Sequence, residues 1–374
     1  MRPAVHAIER TTGRGARDAL RAGPTTHRHR GPDPMTSASP ARRLLLRALA
    51  LVPLSLGASG AIAEWSPDRP ITIIVPWSAG GSTDQVTRVV AGELEEALGA
   101  TIVVQNQPGA SGSIGSKSAL ESAPDGTTWT AGAAQDLGTY KVLGMLDTSI
   151  EDWHLYLTVA NVAVIGVNAD SPYETMDDFL EAMKGSPDAI TVATAGLNSG
   201  GHNAMEALKA AAGGDYKHVT YDGGNPAVIA TVSGETVATT QLAVEQAEMI
   251  RAGRIRPLAV LNDEPLVLEG HGEIPPITEF VDGVPIAPNY FGVFVPGSAP
   301  DEAVAALDEV WAGTVAGSQA LQDYAAERGA VFSPYHGADA QERVMPAIRT
   351  NAYLLFDGGK AKVDPGTVGI ERPE

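Results

Sequence analysis

One pattern constrains the fold more than any other, and it occurs twice. A β-branched run ends in glycines and passes straight into an amphipathic helix. Ile71–Val75 feeds Pro76-Trp77-Ser78-Ala79-Gly80-Gly81-Ser82-Thr83-Asp84 and then a helical period; Ile190–Ala193 feeds Thr194-Ala195-Gly196-Leu197-Asn198-Ser199-Gly200-Gly201-His202 and a second one. A strand that stops at glycines before a helix leaves the first N–H groups of that helix without partners. The helix dipole adds positive potential at the same place, so such a corner suits an anion. Two corners in one chain imply two lobes facing one small anionic ligand.

The N-terminal region has a different character. Residues 1–34 are rich in Arg, His, Pro and Gly, lack an apolar period, and read as untranslated or disordered. Met35 opens a leader: Arg42, Arg43 and Arg47 give a positive n-region, Leu44–Leu56 is mostly apolar, and Ala61-Ile62-Ala63 is a small-x-small cleavage site. Together these read as a secretory signal peptide over 35–63. Arg42-Arg43 also loosely matches a twin-arginine signal, so the export route stays open.

Removing the leader sharpens the charge. Of 26 basic and 45 acidic residues, 10 and 3 lie in residues 1–63, which leaves 16 and 42 and a formal net charge of −26. That balance argues against nucleic acid and anionic lipid as partners. An anionic ligand remains compatible, because a pocket of N–H groups sets its own local field. The chain has no Cys, which excludes disulfides, thiolate chemistry and a lipidated N-terminal Cys. No later run reaches about 18 apolar residues, so the exported chain is expected to be soluble and periplasmic, as a monomer.

Strand-like and helical runs alternate along the rest. Strands are predicted over Ile71–Val75, Ile102–Val104, Thr127–Ala131, Thr158–Val167, Ile190–Ala193, Val219–Tyr221, Pro257–Val260 and Phe291–Val295. Helices are predicted over Val86–Leu98, Ser113–Ser122, Met176–Lys184, Asn203–Ala212, Pro226–Ser233, Ala243–Ala252, Glu302–Ala316 and Ser318–Arg328. This order gives an α/β fold with parallel or mixed sheets covered by helices. The prolines from Pro265 to Pro288 mark a punctuated return crossing between lobes.

Ser82 and Gln85 have the S-x-x-Q spacing of a capping box, and Asp84 falls in the first turn, where a carboxylate suits the dipole. Asp84 has two readings, helix cap or ligand contact. His202 likewise is either a ligand donor, a cap or solvated. Tyr221-Asp222-Gly223-Gly224-Asn225-Pro226 forms a third strand–loop–helix corner. The glycines from Gly109 to Gly115 precede Lys117-Ser118, but Ser116 breaks the phosphate-loop pattern, and the run is not G-x-G-x-x-G. Enzyme signatures such as G-x-S-x-G and H-E-x-x-H are missing, and no His pair has metal-ligand spacing. No catalytic residue, metal or cofactor is expected.

These segments together resemble the tripartite tricarboxylate transporter substrate-binding proteins, also called Bug receptors. The resemblance opens at Pro67-Asp68-Arg69-Pro70-Ile71, Val75-Pro76 and Ala79-Gly80-Gly81-Ser82-Thr83-Asp84. It continues through Asn106-Gln107-Pro108-Gly109-Ala110, Ala123-Pro124-Asp125-Gly126, Thr194-Ala195-Gly196, Gly200-Gly201-His202, Tyr221-Asp222-Gly223-Gly224, Ile250-Arg251-Ala252-Gly253 and Gly292-Val293-Phe294. It implies a two-lobed periplasmic binding protein fold, type II-like, with two Rossmann-like lobes joined by a two-crossover hinge. Residues 64–165 plus 286–374 would form the first lobe and 166–285 the second.

The resemblance also implies a receptor that holds a small carboxylate between its lobes and delivers it to a permease with a large and a small subunit. Carried over, the ligand contacts would be Ser78, Ala79, Gly80, Gly81, Ser82, Thr83 and Asp84 from the first lobe. The second lobe would supply Thr194, Gly196, Ser199, Gly200, His202, Tyr221 and Gly224. After Val237 the sequence Ala238-Thr239-Thr240-Gln241 departs from the family's acidic pattern and puts Gln241 near the ligand. With no acidic group in that stretch to meet an amine, a plain or hydroxylated acid is expected. Trp77, Leu137, Tyr140 and Leu197 would set the pocket volume. Two alternatives remain: a hydrolase or lyase with Ser78 or Ser199 as nucleophile and His202 as base, and a sensor that presents ligand to a signalling partner.

Overall fold

The computed structural model describes residues 65–373; the leader expected over 35–63 and the stretch 1–34 lie outside the described residues. Two sheets organise the described chain. The first contains β1 (Ile71–Val75), β2 (Ile102–Asn106), β3 (Thr128–Ala133), β4 (Trp153–Asn161), β12 (Asn289–Pro296) and β13 (Ala330–Phe332), in the order β13-β4-β12-β3-β1-β2. The second contains β5 (Val164–Asn168), β6 (Thr191–Thr194), β7 (Lys217–Thr220), β8 (Ala238–Thr239) and β9 (Ile255–Val260), in the order β7-β6-β8-β5-β9. A small hairpin of β10 (Leu266–Leu268) and β11 (Gly272–Ile274) follows.

Both sheets are mixed. β1 lies parallel between β2 and β3, whereas β12 runs antiparallel to β3 and β4. In the second sheet β6 is parallel to β7 and β8, and β5 is antiparallel to β8 and β9. Helices cover the faces: α1 (Ser82–Leu98), α2 (Ser113–Leu120), α3 (Ala134–Leu143), α8 (Asp301–Gly313), α9 (Gln319–Arg328) and α10 (Gly337–Asp357) belong with the first sheet. The second carries α4 (Met176–Gly185), α5 (Gly200–Ala212), α6 (Gly224–Val232) and α7 (Ala243–Arg251).

The patterning that makes these elements is visible in their burial. Ile71, Ile73 and Val75 are fully buried in a strand paired on both edges. Val86, Val90 and Leu94 recur every four residues and turn one face of α1 inward. Trp311 of α8 is buried against the first sheet, and its indole N–H donates to the Leu157 carbonyl oxygen at 2.7 Å.

The lobes join at two places. The run expected as one strand over Thr158–Val167 is two strands, broken at Val162–Ala163. The break has a reason in hydrogen bonding. The carbonyl oxygens of Val162 and Ala163 accept from Ala243 and Leu261, both second-lobe residues, so the chain changes sheets there. The return crossing runs from Ile274 through Pro275 to Pro288 and re-enters the first sheet at Asn289, which pairs directly with Asn161.

Several elements escape the sequence reading. α3 follows β3 without a side-chain cap, and α10 contains Pro346 in its interior. β8, β10, β11 and β13 span only two or three residues each. Trp311→Ala removes a fully buried ring and leaves the Leu157 carbonyl without its donor. It should cost about 3–5 kcal/mol and lower the thermal midpoint by roughly 10 °C in a calorimetric scan; an unchanged midpoint would refute this account of the core.

Candidate functional site

The first corner is built differently from the capping box expected of Ser82 and Gln85. α1 starts at Ser82 with Gly81 as N-cap and has no side-chain cap. The Gln85 amide instead donates to the Gly80 carbonyl at 2.7 Å, where Gly80 takes a positive φ of 81°. The Ser82 N–H crosses the lobes and donates to Glu245 Oε1 at 3.0 Å. Glu245 sits in the first turn of α7, where its other oxygen accepts from the Leu242 N–H at 3.3 Å. Gly224, which opens α6, approaches so closely that a Cβ there would overlap the Glu245 carboxylate. The starts of three helices, one from the first lobe and two from the second, therefore surround one carboxylate.

Gln241 completes this arrangement. With its amide oriented by the surrounding network, its nitrogen donates to Glu245 Oε2 at 2.8 Å and its oxygen accepts from the Ala195 N–H at 2.6 Å. Burial raises the Glu245 carboxyl above its usual range, against the opposing pull of the bonds from Ser82 and Leu242. Asp136, in the first turn of α3, faces the same cleft. Burial pushes its carboxyl well up, and its Oδ1 has no hydrogen-bond partner among the described residues. The stretch Ala238-Thr239-Thr240-Gln241 brings no acidic side chain to the cleft, but two other segments do. Asp136 and Glu245 come from outside the stretch after Val237 on which the expectation of a plain or hydroxylated acid rested.

Of the predicted contacts, Gly81, Ser82, Thr83, Ser199, Gly200, Gly224 and Gln241 line this cleft together with Trp77. The space between them is about 20 Å³. Ser199 caps α5 by accepting from the His202 N–H at 3.3 Å. The others lie elsewhere. Ala79 and Gly80 are exposed. Ser78 packs against Gly223, and its N–H donates to the Asp222 carbonyl at 3.2 Å, a second contact between the lobes. The Thr194 hydroxyl meets His218 and accepts from the Gly196 N–H, and Gly196 itself lies against Ser111 of the first lobe. Tyr221 does not line the cleft; burial and then Glu235 push its hydroxyl up to about 12.

Two predicted contacts, Asp84 and His202, are engaged with protein partners. Asp84 accepts from the Gly80 N–H at 2.9 Å, Arg88 at 2.8 Å and Asn106 at 3.0 Å, so its carboxylate is consumed in bracing the corner. Burial pushes its carboxyl up, but these bonds hold it below the usual range. His202 is fully buried, stacked on His218 with ring centroids 4.6 Å apart, and its Nε2 lies 3.0 Å from Lys360 Nζ. Lys360 also pairs with Glu206 of α5 at 2.7 Å, which ties the segment after α10 to the second lobe. Of the four side chains expected to set the pocket volume, only Trp77 lines the cleft. Leu137 and Tyr140 are buried in the first-lobe core, and Leu197 is exposed.

Comparison with known proteins decides the family. The model of the tripartite tricarboxylate transporter family receptor matches residues 86–343. The chain belongs to that receptor family. A Pseudomonas sp. (strain P51) protein encoded in the tcbD-tcbE intergenic region is 29% identical over 275 residues, 71% of this chain and 80% of its own length. Protein BugT of Bordetella pertussis is 31% identical over 228 residues, 59% and 70% of the two chains. Among solved structures, R. palustris Rpa4515 with adipate is 25% identical, with a TM-score of 0.69 over 78% of this chain and 98% of that one. The periplasmic binding protein BugD shares the fold at 22% identity, with a TM-score of 0.72 over 79% and 99% of the chains. MatC from Rhodopseudomonas palustris with bound malate shares it at 22% identity, with a TM-score of 0.69 over 77% and 99%.

The receptor family and these neighbours are solute-binding proteins and not enzymes, which removes the hydrolase or lyase alternative. The geometry agrees, since the His202 ring is engaged with Lys360 and His218 rather than with either serine hydroxyl. In this receptor, sequence reasoning missed Asp136, Glu245, Leu242, Phe291 and Lys360. Glu245 has one signal: it lies three residues after Leu242, the spacing by which an acidic side chain reaches back to a helix start.

The buried histidines should make the receptor acid-sensitive. Burial, followed by Lys360, pushes the His202 ring down to about 3 and His218 to about 4, from an ordinary 6.5. The fold favours their neutral forms, so the stability they lend is complete above 6.5 and is lost as pH falls toward those values. At pH 5, His202 alone should cost about 2 kcal/mol. Thermal midpoints at about pH 7 and about pH 5 should differ less in His202→Gln than in the parent; an equal drop would assign the sensitivity to other groups.

Proposed function

We propose that this receptor is exported to the periplasm, closes its lobes on a small carboxylate-bearing solute, and delivers that solute to a membrane permease with a large and a small subunit. The observation that carries the reading is the convergence of the starts of α1, α6 and α7 on the Glu245 carboxylate. Glu245 is chemically the stand-in for a ligand carboxylate: an anion held by N–H groups from both lobes. When the lobes part, the Ser82 N–H loses this partner, and a free carboxylate can take its place. Malate bound to MatC and adipate bound to Rpa4515 support the ligand class. Among the described residues no helix is long and apolar enough to cross a membrane.

Differential contact drives closure. A carboxylate docks on one lobe's donors in the open form and gains the other lobe's donors on closing, which shifts the population. Neutral N–H dipoles hold the anion without ordering long cationic side chains. Three or four charge-assisted bonds at about 1.5–3 kcal/mol each suffice for micromolar affinity after ordering costs. Glu245 and Asp136 oppose an extra negative charge unless they are protonated, so carboxylate affinity should rise as pH falls from about 7 to about 5.

A second reading follows from the unpartnered Asp136 Oδ1: a ligand that also carries an amine, which this oxygen would accept from. Calorimetric titration against a panel of carboxylic and amino acids separates the two. Glu245→Gln should tighten plain carboxylate binding by about tenfold at neutral pH, by removing a competing anion, and should flatten its pH dependence. Loss of binding in that variant would instead make Glu245 a reader of positive charge. A panel without response on folded protein would refute the carboxylate reading. Transport and signal presentation are distinguished by uptake measured with and without the permease.

A further inference from the structure

A second cavity lies on the hinge side of Gly200 and Leu242, the two residues it shares with the cleft. It measures about 280 Å³, far more than the space between the corners. In a chain of this net negative charge its lining is unusual, because no acidic or basic side chain contributes to it. Carboxamides take their place: Gln135 from α3, Asn161 and Asn289 from the ends of β4 and β12, Asn203 from α5, Asn262 just after β9 and Asn351 from α10.

These amides are not all satisfied by the protein. Asn161 and Asn289 are 2% and 7% exposed, yet neither the nitrogen nor the oxygen of either amide has a partner among the described residues. Gln135, 4% exposed, accepts from Asn351 through its oxygen and leaves its nitrogen unpaired. Asn161 and Asn289 are directly paired residues on adjacent antiparallel strands, so their side chains issue from one spot at the root of both crossovers. Buried polar atoms in native folds are satisfied by protein or by ordered water, and five such atoms around one cavity call for water or a solute inside it.

The lining also selects the chemistry of such a solute. Each unpaired Asn presents a donor and an acceptor side by side, and its complement presents an acceptor and a donor. A carboxylate only accepts and would leave the Asn161 and Asn289 oxygens unmatched. Its charge would also be buried with no cation beside it. We propose that the hinge cavity is a second ligand site, for an uncharged carboxamide-bearing solute, and that its occupancy favours the closed receptor. Closure follows because the walls come from both lobes: Gln135 and Asn351 from one, Gly200 and Asn203 from the other. A solute that touches all of them fits the closed form better than the open one and shifts the equilibrium toward it. This site does not depend on what the cleft binds.

The test is calorimetric titration of the full chain with succinamide, using succinate as the charged analogue of the same skeleton. Succinamide should bind the parent. Ala204→Phe, which fills the cavity from α5, and Asn289→Leu, which removes one donor and one acceptor, should each weaken it by about tenfold or more. Ala204→Phe should retain the parent's thermal midpoint and its response to carboxylates. If both ligands bind, saturation with either should tighten the other by one common factor, since coupling between sites is reciprocal. No succinamide binding to folded parent protein would overturn the proposal. So would undiminished binding in Ala204→Phe, or displacement of succinamide by succinate in direct competition.

Discussion

The hydrogen bond from the Ser82 N–H to the Glu245 carboxylate is the contact around which the two lobes are arranged. It satisfies a helix start in the first lobe with a side chain of the second, and the same carboxylate also serves the α7 start. The glycines beside it are explained by that one group. Gly224 is small because its Cα abuts Glu245, and a Cβ on Gly81 would lie 3.4 Å from the same Oε1. Asp84, Arg88 and Asn106 brace the turn from behind, so the N–H groups are held in place before anything binds. Pre-set dipoles of this kind need no reorganisation when a ligand arrives.

Negative charge is managed on two scales. The chain carries many acidic residues, and their exposed members favour solubility without deciding what is bound. Inside, the two acidic side chains of the cleft are buried enough for desolvation to work against their ionisation. The hinge cavity goes further and has no charged lining. Overall charge and the chemistry of the interior are therefore independent, which is why an acidic protein can still offer N–H donors to an anion.

Much of the fold was legible because its signals are local. β1 and α1 declare themselves through a β-branched run and a four-residue apolar period, and the glycine corner between them is a property of adjacent residues. The cleft was legible in part for the same reason: Gly81, Ser82, Ser199, Gly200 and Gly224 all sit at corners. What stayed hidden depends on contacts between distant segments. Nothing near Glu245 announces that Ser82 will meet it from 163 positions away. Asp84 and His202 look like ligand contacts in a linear reading because helix starts attract polar residues for either purpose. Only the partners Arg88, Asn106 and Lys360 reveal the structural use. α10 was obscured by Pro346, a residue that the packing of that helix against α3 outweighs.

The first crossover consists of only Val162 and Ala163, each tied by its carbonyl to the second lobe. A link that short has no slack. The lobes cannot slide apart along it, so their relative motion reduces to rotation about a nearly fixed point. Under rotation, displacement grows with distance from the pivot. The amides at Asn161 and Asn289 stand at the fulcrum and travel least, whereas the meeting of Ser78 with Asp222, made by residues outside the crossovers, rides on the moving arms. The same angular step that parts the corners also draws Gly200 and Asn203 away from Gln135 and Asn351 across the hinge cavity, so the receptor works as a lever with its two unpartnered amides at the axle.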